Sequence, residues 1–353
     1  MPKVSKAIIR AGLETLYFSG THRIVRPFLS GVGAILTLHR VRPPVDDPFQ
    51  PNRLLEITPT FLDQLVTRLR AADVDFVTLD EVHRRLHNAE LSRRFVALTF
   101  DDGYRDNRNH ALPILKRHGV PFTVYLPSAF AEGTGELWWV ALERAIARSD
   151  QVEIVKDGET RIHACADAAS KYETYETIYW WLRSLPDEDE ILRVVRTLAA
   201  RAGIDMPAIC RDLCMDWEEL RDFGRERLVS FGGHTANHVM LAKLPSAEAV
   251  EEEMRAGVEA IENELGVSPA HFAYPVGDCA SAAAREFAAA AKVGFRTAVT
   301  TRPGVLFPDH ADHPTALPRI SVNGGFQRLR YLDVLLSGAP TALMNGFRRV
   351  DAA

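Results

Sequence analysis

The chain has no apolar run approaching the roughly 18 residues that span a bilayer, and its N-terminus lacks the uninterrupted apolar core of a signal peptide. Export by the usual signal is therefore not expected. Cysteine is scarce: Cys165, Cys210, Cys214 and Cys279 form neither a CxxC pair nor a regular framework. That excludes a disulfide scaffold and points to reduced thiols in a cytoplasmic protein. Cys210 and Cys214, four apart on an expected helix, suit a shared packed face better than a metal site. No glycine-rich phosphate loop follows an expected strand, which weakens a nucleotide-binding reading. There is no internal repeat. The formal charge is only -5 for 353 residues, which argues against a general nucleic-acid binder. What remains, 46% hydrophobic and 25% charged, is the composition of a globular chain large enough for a barrel-sized domain with an insertion.

Short apolar runs alternate with helical patterns. Strands are expected at Ala34 to His39, Phe76 to Leu79, Phe95 to Phe100, Phe122 to Leu126, Leu228 to Gly232, His271 to Tyr274, Phe295 to Thr300 and Leu317 to Val322. Helices are expected from Thr58-Pro59, an N-cap followed by proline, to about Ala71, and over Asn107 to His118, Ser246 to Leu265 and Ala280 to Ala291. Repeated βα units imply a parallel sheet covered by helices, and this many favour closure into a barrel. From about residue 131 to 227 the pattern turns mostly helical, with a hairpin near Val152 to Ile162, and reads as an α-rich insertion. Its Trp138, Trp139, Trp180 and Trp181 serve either as core anchors or as platforms for sugar rings. Residues 1–30 form a basic segment and 326–353 a helical tail, leaving the barrel at 31–325. Over Val4 to Phe18, Ile9, Leu13, Leu16 and Tyr17 recur at helical spacing, and Lys3, Lys6, Arg10, Arg23 and Arg26 face the single acid Glu14. Such a helix either packs on its own domain or lies on an anionic membrane surface, which would make the protein peripheral on the inner face of the membrane.

Two stretches carry chemistry. Phe95 to Phe100 is a buried-strand pattern that ends in Asp101-Asp102-Gly103. Two carboxylates at the mouth of a buried strand call for a nearby positive charge, a metal ion or an arginine, unless the pair is merely an Asp-Gly turn. The second stretch, Ser230-Phe-Gly-Gly-His234-Thr-Ala-Asn-His238, follows another strand. If Thr235 opens a helical turn, His234 and His238 point to one side and share a metal. Two histidines and one carboxylate leave coordination positions open, as a catalytic metal requires.

With these motifs the chain resembles the polysaccharide deacetylases, metal-dependent carbohydrate esterases. Thr99-Phe-Asp-Asp-Gly103 and His234-Thr-Ala-Asn-His238 match the family's first two motifs, and Phe272-Ala-Tyr-Pro-Val-Gly277 looks like its proline-containing loop. The resemblance implies a distorted (β/α) barrel in which Asp102, His234 and His238 hold one divalent metal. Zinc is the default, and cobalt, nickel, manganese or iron are also acceptable to these ligands. It implies Asp101 as general base in hydrolysis by metal-activated water, and the Tyr274-Pro275-Val276 loop as oxyanion and substrate contact through the Val276 N–H. His39, ending Ile35-Leu-Thr-Leu-His39, resembles the family's Leu-x-His motif, found at the N-terminal end in circularly permuted members, and would be the general acid. The arginine that often opens the third motif is replaced by Ala273, and Arg319 in Leu317-Pro-Arg-Ile320 is the expected substitute, against a purely structural salt bridge. His39 and Asp101 are expected to flank the metal from opposite sides. The substrate implied is an N-acetylated amino sugar in a polysaccharide, chitooligosaccharide or glycan precursor. The alternatives are a lipid-linked or other small amino-sugar substrate, a non-catalytic carbohydrate-binding relative, and an iron site for oxygen chemistry.

Overall fold

The computed structural model describes residues 6–352. Seven strands, β1 (Gly33–Leu38), β2 (Phe95–Phe100), β3 (Phe122–Leu126), β4 (Val229–Gly233), β5 (His271–Ala273), β6 (Thr297–Pro303) and β7 (Leu317–Ser321), pair in chain order, and β7 returns to β1. Every pairing is parallel, so the sheet closes into a (β/α) barrel. β1, β2 and β3 are buried along their whole length, as expected of strands with a packed barrel on one face and helices on the other.

The two-residue period of a strand decides what the barrel holds. Leu36, Leu38, Val96, Leu98, Phe100, Val124 and Leu126 pack outward with Leu62, Leu65 and Val66 of the helix Pro59–Ala71. Ile35, Phe95, Ala97, Tyr125, Ala273, Val299 and Leu317 form the interior cluster. Continuing the same parity toward the C-terminal strand ends brings Thr37, Thr99, Asp101 and Arg319 inward. The interior thus turns from apolar to ionic at the rim, the face on which barrel sites are built. Thr58 caps Pro59–Ala71 by accepting the Phe61 N–H, as its position before proline suggests.

Three elements depart from expectation. Only Asp75–Phe76 pairs as a strand, because Thr78 accepts the Glu81 N–H and starts the helix Leu79–His87. The helix expected from Asn107 opens as a wide π turn, Asn107–Ala111, before Leu112–His118. Pro113 has no N–H to return to Asn109, so the first turn cannot close in α register. A second N-terminal helix, α2 (Thr21–Leu29), with Pro27 inside it, follows α1 (Lys6–Phe18). Lys3 and Val4 of the expected basic helix lie outside the described residues.

The segment between β3 and β4 contains the helices Trp138–Ala147, Ala168–Ser184, Glu188–Arg201, Met206–Leu213 and Trp217–Phe223 and the hairpin Gln151–Lys156 with Glu159–Ala164. It has its own core, in which Leu142, Ile146, Ile178, Leu182 and Val195 are buried together with Cys165, Cys210 and Cys214. All four cysteines are free thiols. Of the expected apolar face of α1, Leu13, Leu16 and Tyr17 pack on Tyr331 and Val334 of the tail helix Leu329–Leu335. Glu14 pins it there by accepting from Arg328, Arg330 and Tyr331. Among the described residues no helix is long and apolar enough to cross a membrane.

Candidate active site

The register of β1 on β2 sets the first part of the site. Thr37 lies opposite Thr99, Leu38 lies opposite Phe100, and the Asp101 N–H donates to Leu38 O, which brings His39 level with Asp101. Nε2 of His39 is 3.9 Å from Asp101 Oδ2. The two therefore stand side by side, and the expectation of opposite sides fails because adjacent parallel strands in register present equivalent residues as neighbours. Asp106 and Asn107 hold this end of β1. Asp106 accepts from Arg40 Nε and the Val41 N–H, and Asn107 Nδ2 donates to His39 O at 2.7 Å.

Arg319 enters from the neighbouring strand. Its side chain is fully buried and meets Asp101 in a two-pronged ion pair, Nη1 to Oδ1 and Nη2 to Oδ2, each 2.7 Å. Nε donates to Thr300 O at 2.9 Å, a carbonyl freed by a register shift between β6 and β7. Burial alone would raise the Asp101 pKa, but the Arg319 charge and hydrogen bonds outweigh it and hold the carboxyl below its usual value. For His39 burial prevails over the attraction of Asp101 and Asp102 and pushes the imidazole pKa down.

Asp102, His234 and His238 form the second part, with one ligand atom of each within 4.8 Å of the others. Asp102 Oδ1 is buried without a hydrogen-bond donor and faces Nε2 of His238 at 3.2 Å and Nε2 of His234 at 3.5 Å. His234 Nδ1 lies 2.6 Å from Ala273 O. A proton held there leaves the Nε2 lone pair for the group shared with Asp102 and His238. Burial opposes ionisation of Asp102, but the two imidazoles outweigh it and keep its pKa well below the usual range. An orphaned carboxylate oxygen beside two aimed imidazoles is a donor set that fits a divalent cation. The expected helical turn is absent: Thr235 and His238 have φ of 66° and 58°, and the Thr235 hydroxyl accepts the His238 N–H. Asp102 and Val276 are also left-handed, with φ of 75° and 62°. Four of the site's residues thus hold a conformation unfavourable to side chains, which the surrounding packing must enforce. Gly232 is required for a different reason: a Cβ there would meet the Tyr125 ring at 2.4 Å, and Tyr125 packs toward His234.

Val276 lines the cavity, its N–H makes no hydrogen bond among the described residues, and its carbonyl accepts from Thr301 Oγ1 at 2.7 Å. Tyr274 is a correction. It follows inward-facing Ala273, so strand parity sends it outward, where its hydroxyl donates to Thr315 O and its ring packs on Phe272 and Phe287. Pro275 is buried beside it and does not line the cavity.

The cavity has a volume of about 380 Å³ and brings together His39, Asp101, Asp102, His234, His238 and Val276. Trp138, Trp139, Tyr175, Tyr179 and Trp180 of the insertion make its aromatic wall, and Trp181 is not part of it. Trp139 and Phe130 also pack on the His238 ring, with centroids at 4.9 and 5.4 Å. Asn52, Leu54 and Leu55 of the short 3-10 helix Pro51–Leu55 close the other side. Sequence reasoning missed that helix, which has no periodicity to reveal it. Asn52 donates to Glu143 Oε2 and Trp139 O and accepts from Tyr175, tying the wall together.

The sequence profile of the family described as polysaccharide deacetylase matches residues 88–298, more than half the chain. The chain belongs to the polysaccharide deacetylase family. The matched stretch contains Asp101, Asp102, His234, His238 and Val276, while His39 and Arg319 lie outside it. Among solved structures, this deacetylase-family chain is similar to the Streptococcus pyogenes deacetylase PplD solved with acetate. The identity is 19% and the TM-score 0.55, over 86% of this chain and 97% of that one. IcaB from Ammonifex degensii is 21% identical with a TM-score of 0.53, over 87% and 96% of the two chains. A de-N-acetylase from Aggregatibacter actinomycetemcomitans is 12% identical with a TM-score of 0.52, over 86% and 99%. At these identities the likeness is one of fold. No curated protein matches in sequence.

Proposed function

We propose that the protein hydrolyses the N-acetyl group of an amino sugar. The observation that carries this reading is the buried Asp101, paired with Arg319 and set in one cavity with the Asp102, His234 and His238 donor set. Asp101, kept ionised by Arg319, takes the proton of the attacking water. The Val276 N–H donates to the oxyanion that develops on the acetyl carbonyl. His39, held neutral by burial and 3.9 Å from Asp101, receives the proton that Asp101 has taken from water and gives it to the departing nitrogen. A divalent metal held by Asp102, His234 and His238 supplies Lewis acidity, with zinc first among the candidates and cobalt, nickel, manganese and iron also suited to these ligands.

The aromatic wall supports a sugar-ring substrate, since indole and phenol faces cover the apolar faces of pyranose rings. The cavity's apolar lining also favours a lipid-linked or other small amino sugar over a purely polar chain. Incubating metal-loaded protein with chitooligosaccharides and with lipid-linked N-acetyl amino sugars, followed by mass spectrometry, tests the reading. Loss of acetyl with a free amine and no need for oxygen is expected. Persistent acetylation of every substrate would leave a carbohydrate-binding relative, and an oxygen requirement would indicate iron chemistry.

We also propose contact with the inner face of an anionic membrane. The support comes from the chain ends: α2 and the tail helix Ala339–Met344 pack together, and Phe18, Ile24, Phe28, Leu343, Met344 and Phe347 are all exposed there. Arg23 and Arg26 on α2, and Arg348 and Arg349 after the tail helix, supply charge complementary to anionic lipid.

A further inference from the structure

Pro51, Leu54 and Glu176 line both the catalytic cavity and a second groove of about 260 Å³. Arg10, Arg53, Gly324 and Gly325 carry that groove into a third of about 440 Å³. Three adjoining depressions with shared wall residues thus lie in series from Asp101 and His234 to the flank of α1. Their chemistry changes along the way. Around Asp102, His234 and His238 the wall is aromatic and aliphatic, and the nearby cation, Arg319, is committed to Asp101. Beyond Leu54 the walls become cationic.

The carboxylates on the path are already engaged. Glu14 accepts from Arg328, Arg330 and Tyr331, and Glu176 accepts from Trp180 Nε1. Arg10 is held in place: Nη2 donates to Gly325 O at 3.0 Å, and the guanidinium stands over the Phe326 ring at 5.9 Å. Arg53 shares the walls of both outer grooves with it. Among the described residues neither guanidinium makes an ion pair. Arg10 and Arg53 thus share groove walls whose acids, Glu14 and Glu176, are engaged with other partners, and their planar donors are suited to an anion bound across them.

We propose that this path binds an anionic part of the substrate, a phosphate or carboxylate attached beyond the acetylated sugar, and that Arg10 and Arg53 grip it. This rests on the deacetylase reading of the cavity. The order of surfaces sets the order of the ligand, with a neutral N-acetyl sugar against the aromatic wall and the charge outside Leu54.

Three probes test the inference: a neutral N-acetylglucosamine disaccharide, the same sugar bearing an anomeric phosphate, and the same sugar joined to a uronic acid. The expected result is a kcat/KM at least tenfold higher for one anionic probe than for the neutral one, and which probe it is tells phosphate from carboxylate. In Arg10→Ala/Arg53→Ala that preference falls toward one through KM, Arg10→Lys/Arg53→Lys restores part of it, and Arg225→Ala, in a separate groove, leaves it alone. Equal kcat/KM for all three probes, or a preference that survives in the double alanine variant, overturns the inference. Calorimetric titration with the phosphorylated and uronic-acid probes decides the matter independently of turnover. At least tenfold weaker binding of one anionic probe by the double alanine variant supports the inference. Unchanged binding overturns it, and failure of the wild type to deacetylate any probe overturns only the proposed function.

Discussion

At the residue scale the decisive feature is the division of labour between adjacent aspartates. Asp101 points along the strand's inward parity to Arg319, and Asp102, past the strand end, turns to the histidines through a left-handed backbone. Asp101→Asn is expected to keep bound metal and lose turnover by roughly a hundredfold or more, because an amide cannot take the proton from water. Metal analysis alongside rate measurement checks this, and near-normal turnover would remove Asp101 from the base role. His234→Ala or His238→Ala should instead lose the metal while circular dichroism still reports a folded barrel, and full occupancy in both would refute the ligand assignment. Arg319→Leu leaves a fully buried carboxylate without its counter-charge, for an expected loss of about 3–5 kcal/mol read by denaturant unfolding. Asp101, Asp102, His234, His238 and Arg319 were legible in the sequence as candidates that would converge, because proton transfer and metal binding admit few residue types and those types stand at strand ends. Tyr274 was misread because a motif gives neighbours in sequence, whereas strand parity separates Ala273 from Tyr274 onto opposite faces.

At the scale of elements, the insertion is part of the site and not an appendage. Its helix Trp138–Ala147 presents Trp138 and Trp139 to the cavity, and Glu143 on the same helix holds Asn52. Burial pushes the Glu143 pKa up to about 7 from 4.5; the Asn52 hydrogen bond opposes this and the charge of Glu56 adds to it. The native state therefore keeps a proton that the unfolded chain releases at lower pH. Stability from this group is fully present below about pH 4.5 and is lost as pH rises through about 7. Glu143→Gln should gain about 3 kcal/mol relative to the wild type at pH 8 and almost nothing at pH 4. Unfolding curves at the two pH values check the difference, and an equal effect at both would contradict it. Strand and helix positions in the barrel were readable from periodicity. The turn at Asn107–Ala111, the helix capped by Thr78 and the 3-10 helix at Pro51–Leu55 were not. The first two depend on one proline and one hydroxyl, and the third on contacts with the insertion.

For the whole molecule, closure in chain order explains how His39 and Arg319, 280 positions apart, reach one aspartate: the last strand returns to the first, the first borders the strand that ends in Asp101, and the long Arg319 side chain spans the barrel interior to it. Closure was inferable from the number of βα units, but the register that sets His39 beside Asp101 was not, since register depends on packing across strands. The chain ends behave differently. The apolar spacing of α1 was visible, yet most of that face packs on Leu329–Leu335, and the exposed apolar side chains lie at its ends, Ile9 and Phe18, and on α2 and the tail. Co-sedimentation with vesicles containing phosphatidylglycerol is expected for the wild type. It should weaken at least severalfold in Ile24→Ser/Phe28→Ser and in high salt. Equal sedimentation with purely zwitterionic vesicles, or none at all, would count against membrane contact.

The most direct test of the central claim is hydrolysis in water enriched in heavy oxygen, with the released acetate analysed by mass spectrometry. Attack of water on the acetyl carbonyl predicts acetate carrying one heavy oxygen atom. Its formation should stop on chelation, return with added divalent metal, and be nearly absent in Asp101→Asn. Unlabelled acetate, or none from metal-loaded protein with any N-acetyl amino sugar, would contradict the account.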